Sequence, residues 1–150
     1  GAHRSHADAI VFLDADDLLS ITALSVMADA LERGRADICH GMVREFLDDR
    51  EPLPPGVRVA KGEQAARLAG CTMVRRSLWE RVGGCLPHLR VGEWIEWLDR
   101  AMATQPTVAR VDEVTLCRRI HARNTTRVAA NSAQYLDVAR AAIERRRGTR

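Results

Sequence analysis

Asp14, Asp16 and Asp17 fall within four consecutive residues. Carboxylates that close repel one another unless a cation or a proton lies between them. Hard oxygen donors so clustered suit Mg²⁺ or Mn²⁺, ions that also bind substrate phosphates. The same residues also read as an acidic turn capping a helix, negative charge meeting the positive helix end. Glu93 and Glu96 stand three apart on one side of a second helix, where Glu96 can pair with Arg100 four residues on. His121 stands among Arg118, Arg119, Arg123 and Arg127, which by themselves read as a solvated basic loop. Cys39, Cys71, Cys85 and Cys117 never approach C-x-x-C spacing, so zinc-ribbon and thioredoxin chemistry have little support. They read as free, mostly buried thiols, with Cys71 or Cys117 the only candidates for a nucleophile.

The elements that must position these groups alternate between strand and helix, which says α/β. Ala9 to Leu13 is an unbroken apolar run that suits a strand covered on both faces, as in a parallel sheet. Ser20 offers an N-cap to a helix carrying Ile21, Leu24, Met27, Ala28 and Leu31, which Gly34 ends. Asp37 to Leu47 reads as a strand and Asp48 to Gly56, with three prolines, as a loop. A short helix is expected over Glu63 to Leu68, then a strand near Cys71 to Val74. Ser77 and Glu80 fit a capping box for a helix closed by Gly83-Gly84. Glu93 to Ala103 is helical by pattern, and Val108 to Val111 and Val114 to Cys117 look like strands around a turn. A last helix is expected from about Asn131 to Arg145, with Leu136, Ala139, Ala142 and Ile143 facing inward.

The 150 residues suit a single domain, and 46% hydrophobic with 29% charged residues excludes a disordered or collagen-like chain. No apolar run approaches the ~20 residues of a membrane helix and no signal-peptide pattern stands out, so a cytoplasmic location is expected. Six aromatics give no base-stacking platform, which argues against nucleic acid as a partner. Net charge is +3, and Lys61 is the only lysine. The positive charge is therefore nearly all guanidinium, which binds carboxylates and phosphates as a fork.

Two families place D-x-D after an apolar strand. Phe12-Leu13-Asp14-Ala15-Asp16 resembles haloacid-dehalogenase-like phosphatases, but Asp17-Leu18 stands where they continue with Gly-Thr, and Lys61 follows Asp48-Asp49 in the wrong order. The broader resemblance is to inverting family 2 glycosyltransferases of the GT-A fold. Phe12 to Asp17 is similar to their metal-binding strand and turn, and Ala36 to Gly41 to the strand that follows. Val74-Arg75-Arg76-Ser77-Leu78-Trp79-Glu80-Arg81-Val82-Gly83-Gly84 resembles their R-R-x-x-F-E-x-V-G-G-F segment. Gly92-Glu93-Trp94-Ile95-Glu96-Trp97 resembles Gly-Glu-Asp-x-Asp-Trp, and Arg119 to Arg127 the closing R-x-H-x-x-N segment. In order and roughly in spacing the match covers about residues 7 to 127, with residues 131 to 147 as a C-terminal helix.

The resemblance implies a truncated GT-A-like, Rossmann-related mixed sheet flanked by helices, lacking the nucleotide-binding N-terminal half. It implies transfer of a glycosyl group from a nucleotide sugar to a hydroxyl acceptor (a glycan, lipid or small molecule), incomplete in this chain alone. Asp14, Asp16 and His121 would hold Mg²⁺ or Mn²⁺, since neutral imidazole can complete such a shell. Arg119, Arg123, Arg127 and Trp94 would meet the diphosphate or substrate, guanidinium neutralising the leaving charge. Trp94 stands where the family has its catalytic Asp, and an indole cannot act as a general base. Glu93 and Glu96 are the replacements in reach. The opposing reading is a non-catalytic glycosyltransferase-like module acting by self-association or partner binding. If strands beside Ala9 to Leu13 are missing, its bared surface would recruit a second copy, and a homodimer is expected.

Overall fold

A computed structural model describes residues 2–47, 58–121, 124 and 132–148. In chain order the elements are β1 (Ala9–Ile10), β2 (Leu18–Leu19), α1 (Ala23–Arg33), β3 (Ile38–Leu47), β4 (Glu63–Ala65), β5 (Thr72–Arg75), α2 (Arg76–Val82), α3 (Glu93–Ala103), β6 (Val108–Ile120) and α4 (Ser132–Gly148). The sheet order is β1-β5-β3-β6-β2, with β4 also on β3. Only β3 and β6 run parallel; the other pairs are antiparallel. The sheet is thus the mixed α/β sheet flanked by helices that the resemblance implies, while the apolar run by itself suggests a parallel one.

Strand periodicity divides the core between the two faces of the sheet. Ile38 and Val74 point to one face and pack with Leu78 and Trp79 of α2 and Trp97, Leu98 and Ala101 of α3. Cys39 and Met73 point to the other and meet Ala23, Met27 and Leu31 of α1. Arg75 joins the layers by donating to the carbonyls of Ala36 (2.8 Å) and Leu31 (3.0 Å) at the end of α1.

The apolar run is covered on both sides from Ala9 to Phe12, with Ile10 and Phe12 packed on the α2–α3 side and Ala9 and Val11 on the α1 side, whereas Leu13 is exposed. Only Ala9 and Ile10 are strand, however, and they end the sheet beside β5 rather than lying inside it. Phe12 instead enters an aromatic cluster, its ring 4.8 Å from Trp79 and 6.0 Å from Trp94. Five other expectations need correction. Glu63–Ala65 is strand, not helix, because the edge of β3 offers it a partner and Arg44 an ion pair with Glu63. α1 begins after Thr22, not Ser20, and α2 after Arg75, so Ser77 lies inside α2 and caps nothing. The expected turn at 112–113 is an irregularity within the continuous β6, opposite Gly41. In α4 the buried position is Val138, while Leu136 and Ile143 are exposed. The predicted 48–56 loop and the start of the last helix at Asn131 lie outside the described residues. Among the described residues no helix is long and apolar enough to cross a membrane.

Candidate active site

The chain brings the acidic turn and the start of α3 into one cleft of about 480 Å³. Asp14 to Asp17 form one wall. Arg67 to Gly70, the strap leading into β5, and Arg90 to Ile95 form the other. Leu116 and Arg118 of β6, Asn124 and Tyr135 of α4 complete the lining. Residues nearly eighty positions apart, Asp14 and Glu93, thus face a common space.

The acidic wall is fastened to the end of β6. The Asp17 carboxylate accepts the Arg119 backbone N–H (2.8 Å), and Arg119 Nε donates to the Asp16 carbonyl (2.9 Å). The Arg119 guanidinium also lies over the Phe46 ring, 5.2 Å from its centre. His121 Nε2 lies 2.7 Å from Asp16 Oδ2. That hydrogen bond, more than any other cause, holds the Asp16 carboxyl below its ordinary value of 3.8. Burial pushes Asp17 the other way, and the charges of Asp16 and Asp14 add to the effect. Asn124 was legible only as the last letter of R-x-H-x-x-N, yet it organises this corner. It is buried, accepts the His121 N–H (2.7 Å) and donates to the Arg119 carbonyl (3.1 Å).

The opposite wall is equally constrained. Trp94 donates its indole N–H to the Arg67 carbonyl (2.8 Å) and stacks on Trp97 at 5.0 Å. Gln134 of α4 accepts the N–H groups of Arg90 and Val91, both at 2.9 Å. Gly92 has φ +76°, and a side chain there would press on Val138 and the Tyr135 ring. Burial, then the Glu93 charge, raises the Tyr135 phenol above its usual value.

Glu93 lines the cleft and Glu96 does not. Glu96 is 2% exposed and takes the Arg100 guanidinium on both oxygens, with Arg145 3.4 Å away. The pairing with Arg100 four residues on is the one the sequence offers, but its burial is visible only in the fold. Arg123 and Arg127, expected at the diphosphate, lie outside the described residues. Cys71 is buried with its thiol directed to the Leu68 carbonyl (3.4 Å), and burial raises its pKa, which removes it as a nucleophile. Lys61, exposed and away from this lining, does not supply the lysine that a phosphatase reading needs.

No protein-family model matches the sequence, and no curated protein matches it. Solved structures do match in fold. Staphylococcus aureus TarS 1-349 in complex with UDP-GlcNAc aligns with TM-score 0.67 and 13% identity over 94% of this chain and 43% of that one. TarS 1-349 in complex with UDP aligns with TM-score 0.56 and 11% identity, over 79% and 38%. TarS is a glycosyltransferase. The chain has a glycosyltransferase-like fold. It spans about two fifths of the length of the TarS chains it matches.

Within this glycosyltransferase-like fold, no three His, Cys, Asp or Glu side chains gather as a metal cage among the described residues. Asp16 and His121 offer one carboxylate and one imidazole in contact, with Asp14 on the same wall. That set suits an ion such as Mg²⁺ or Mn²⁺, which takes one or two carboxylates and completes its shell with phosphate oxygens and water.

Proposed function

We propose that this chain is the acceptor-side part of an inverting family 2 glycosyltransferase that moves a sugar from a nucleotide donor to a hydroxyl group. The observation that carries the reading is the shared cleft: a carboxylate wall at Asp14 and Asp16 facing Glu93, whose carboxylate makes no hydrogen bond or ion pair among the described residues, within a glycosyltransferase-like fold. A uridine nucleotide sugar is the donor class we favour, because TarS has been solved with UDP-GlcNAc and with UDP.

Glu93 takes the proton of the acceptor hydroxyl as that oxygen bonds to the anomeric carbon. The bond from that carbon to the diphosphate oxygen breaks from the opposite side, which inverts the centre. Asp14, Asp16 and His121 would hold a Mg²⁺ or Mn²⁺ ion, which when bound would neutralise charge on the departing diphosphate. Arg119 keeps the acidic wall in place, with Arg123 and Arg127 supplying further positive charge on the resemblance. Trp94, locked by Trp97 and the Arg67 carbonyl, presents a flat apolar surface to the substrate. A cytoplasmic site of action belongs to the same proposal.

Calorimetry with Mn²⁺ and UDP tests the donor end. Binding is expected for the chain, with loss of most of the heat in Asp16→Ala. Identical titrations for the two proteins would remove Asp16 from the donor site.

A further inference from the structure

Arg67 and Arg90 lie on the cleft wall that carries Glu93 and Trp94. The backbone of each is pinned, Arg67 by the Trp94 indole and Arg90 by Gln134. Their guanidinium groups are exposed and make no hydrogen bond or ion pair among the described residues. The opposite wall differs: there Arg119 holds Asp16 and Asp17, and Asp16 carries His121. Arg118 on the cleft floor faces Glu45 at 3.5 Å. Four carboxylates line the cleft, yet none of them reaches Arg67 or Arg90. The uncompensated charge acts inward as well. After burial, Arg67 is the next reason that the His40 imidazole is lowered to about 4.

Two cations on fixed backbone, with no partner of their own, raise the local concentration of anions and can grip a phosphate or carboxylate as a fork. We propose that Arg67 and Arg90 form a second anion site, which holds an acceptor bearing a phosphate or carboxylate with its hydroxyl turned to Glu93. The inference rests on the glycosyltransferase reading for the role of the bound anion. The donor diphosphate belongs to the Asp16–His121 corner. Arg67 and Arg90 are instead fastened to the segment that supplies the base, so the anion they take is the acceptor's. A neutral sugar would leave both guanidinium groups unmatched, and the substrate class is therefore a hydroxyl compound that carries a phosphate or carboxylate.

The test is titration of the 150-residue chain with glucose 6-phosphate, glucuronate and glucose, followed by calorimetry or by NMR of the arginine side chains. Glucose 6-phosphate or glucuronate should bind saturably and at least tenfold more tightly than glucose, the better of the two identifying phosphate or carboxylate as the recognised group. The double variant Arg67→Gln/Arg90→Gln should weaken that binding at least tenfold while leaving UDP with Mn²⁺ unaffected. Both positions are exposed, so the variant should fold, and circular dichroism checks that it does. Equal binding of glucose and the anions, or unchanged affinity in the double variant, would overturn the site. Displacement of glucose 6-phosphate by UDP would assign the arginines to the donor and overturn the acceptor role. If the anions bind as stated but UDP does not, the anion site stands and the glycosyltransferase reading fails.

Discussion

Asp16 and His121 form the contact on which the proposed donor end turns, and it has a measurable sign. The folded pKa of Asp16 lies below the unfolded value, chiefly because of the His121 hydrogen bond. Such a group contributes stability at pH above its unfolded pKa and loses it as the pH falls through the folded one. Urea unfolding should therefore find Asp16→Asn less stable than the parent at neutral pH. The gap should narrow as the pH drops below about 5. A gap constant with pH would mean that the carboxylate charge plays no part. The two glutamates of α3 separate just as cleanly. In an active protein containing this chain, Glu93→Gln should lower transfer by ~10²-fold, the usual scale of lost general-base assistance. Glu96→Ala should instead cost about 3 kcal/mol of stability, because it leaves Arg100 and Arg145 facing an empty buried site. Thermal unfolding of the two variants tells the roles apart.

The elements hold the cleft open through a few close approaches. Where β3 passes the irregularity in β6, a Cβ on Gly41 would come within 2.3 Å of Thr115 Oγ1 and 2.4 Å of its Cγ2. Thr115 is fully buried and has nowhere to go. Gly41→Ala should destabilise the fold by about 1–3 kcal/mol, the range of overpacked cores, as denaturant titration would read. No more than the local dipeptide is visible in sequence, so only the strand pairing reveals why glycine stands there. Helix α4 teaches a related point. An apolar count puts Leu136 and Ile143 inward, but polar fastenings set its rotation. Gln134 holds the 90–91 backbone at one end, and Arg145 reaches Asp99 (3.0 Å) at the other. Arg145, the first of three successive arginines, anchors α4 to α3.

For the whole molecule, Ala9 to Phe12 are covered within the chain while β1 ends the sheet among the described residues, so of the reason first given for a dimer the sheet edge remains. A different apolar surface remains: fully exposed Ile21, with half-exposed Leu18 and Leu24 along the connection from β2 into α1. Burying a large aliphatic side chain is worth roughly 1.5–3 kcal/mol, enough for three of them to drive weak association. Sedimentation at micromolar concentration should find a dimer that Ile21→Asp disperses. A monomer in both proteins would leave the patch without a partner of its own kind.

Local pattern was enough for much of this architecture. Helical spacing marked α3 to the residue, Glu93 to Ala103, because its apolar stripe faces one side of a single layer. The apolar run and the aspartates after it marked where a site would lie, since strand burial and charge crowding are properties of neighbours in sequence. The rest depends on groups that meet only when the sheet forms. The partners of β1 and β4 follow from which edges β5 and β3 leave open. That Glu93 lines the cleft while Glu96 does not is a consequence of the packing of α4 and Arg100 around one of two carboxylates only three residues apart. The union of Asp16 with His121, 105 positions away, follows from the antiparallel pairing of β2 with β6, Leu18 opposite Cys117, a long-range pairing that local periodicity does not encode.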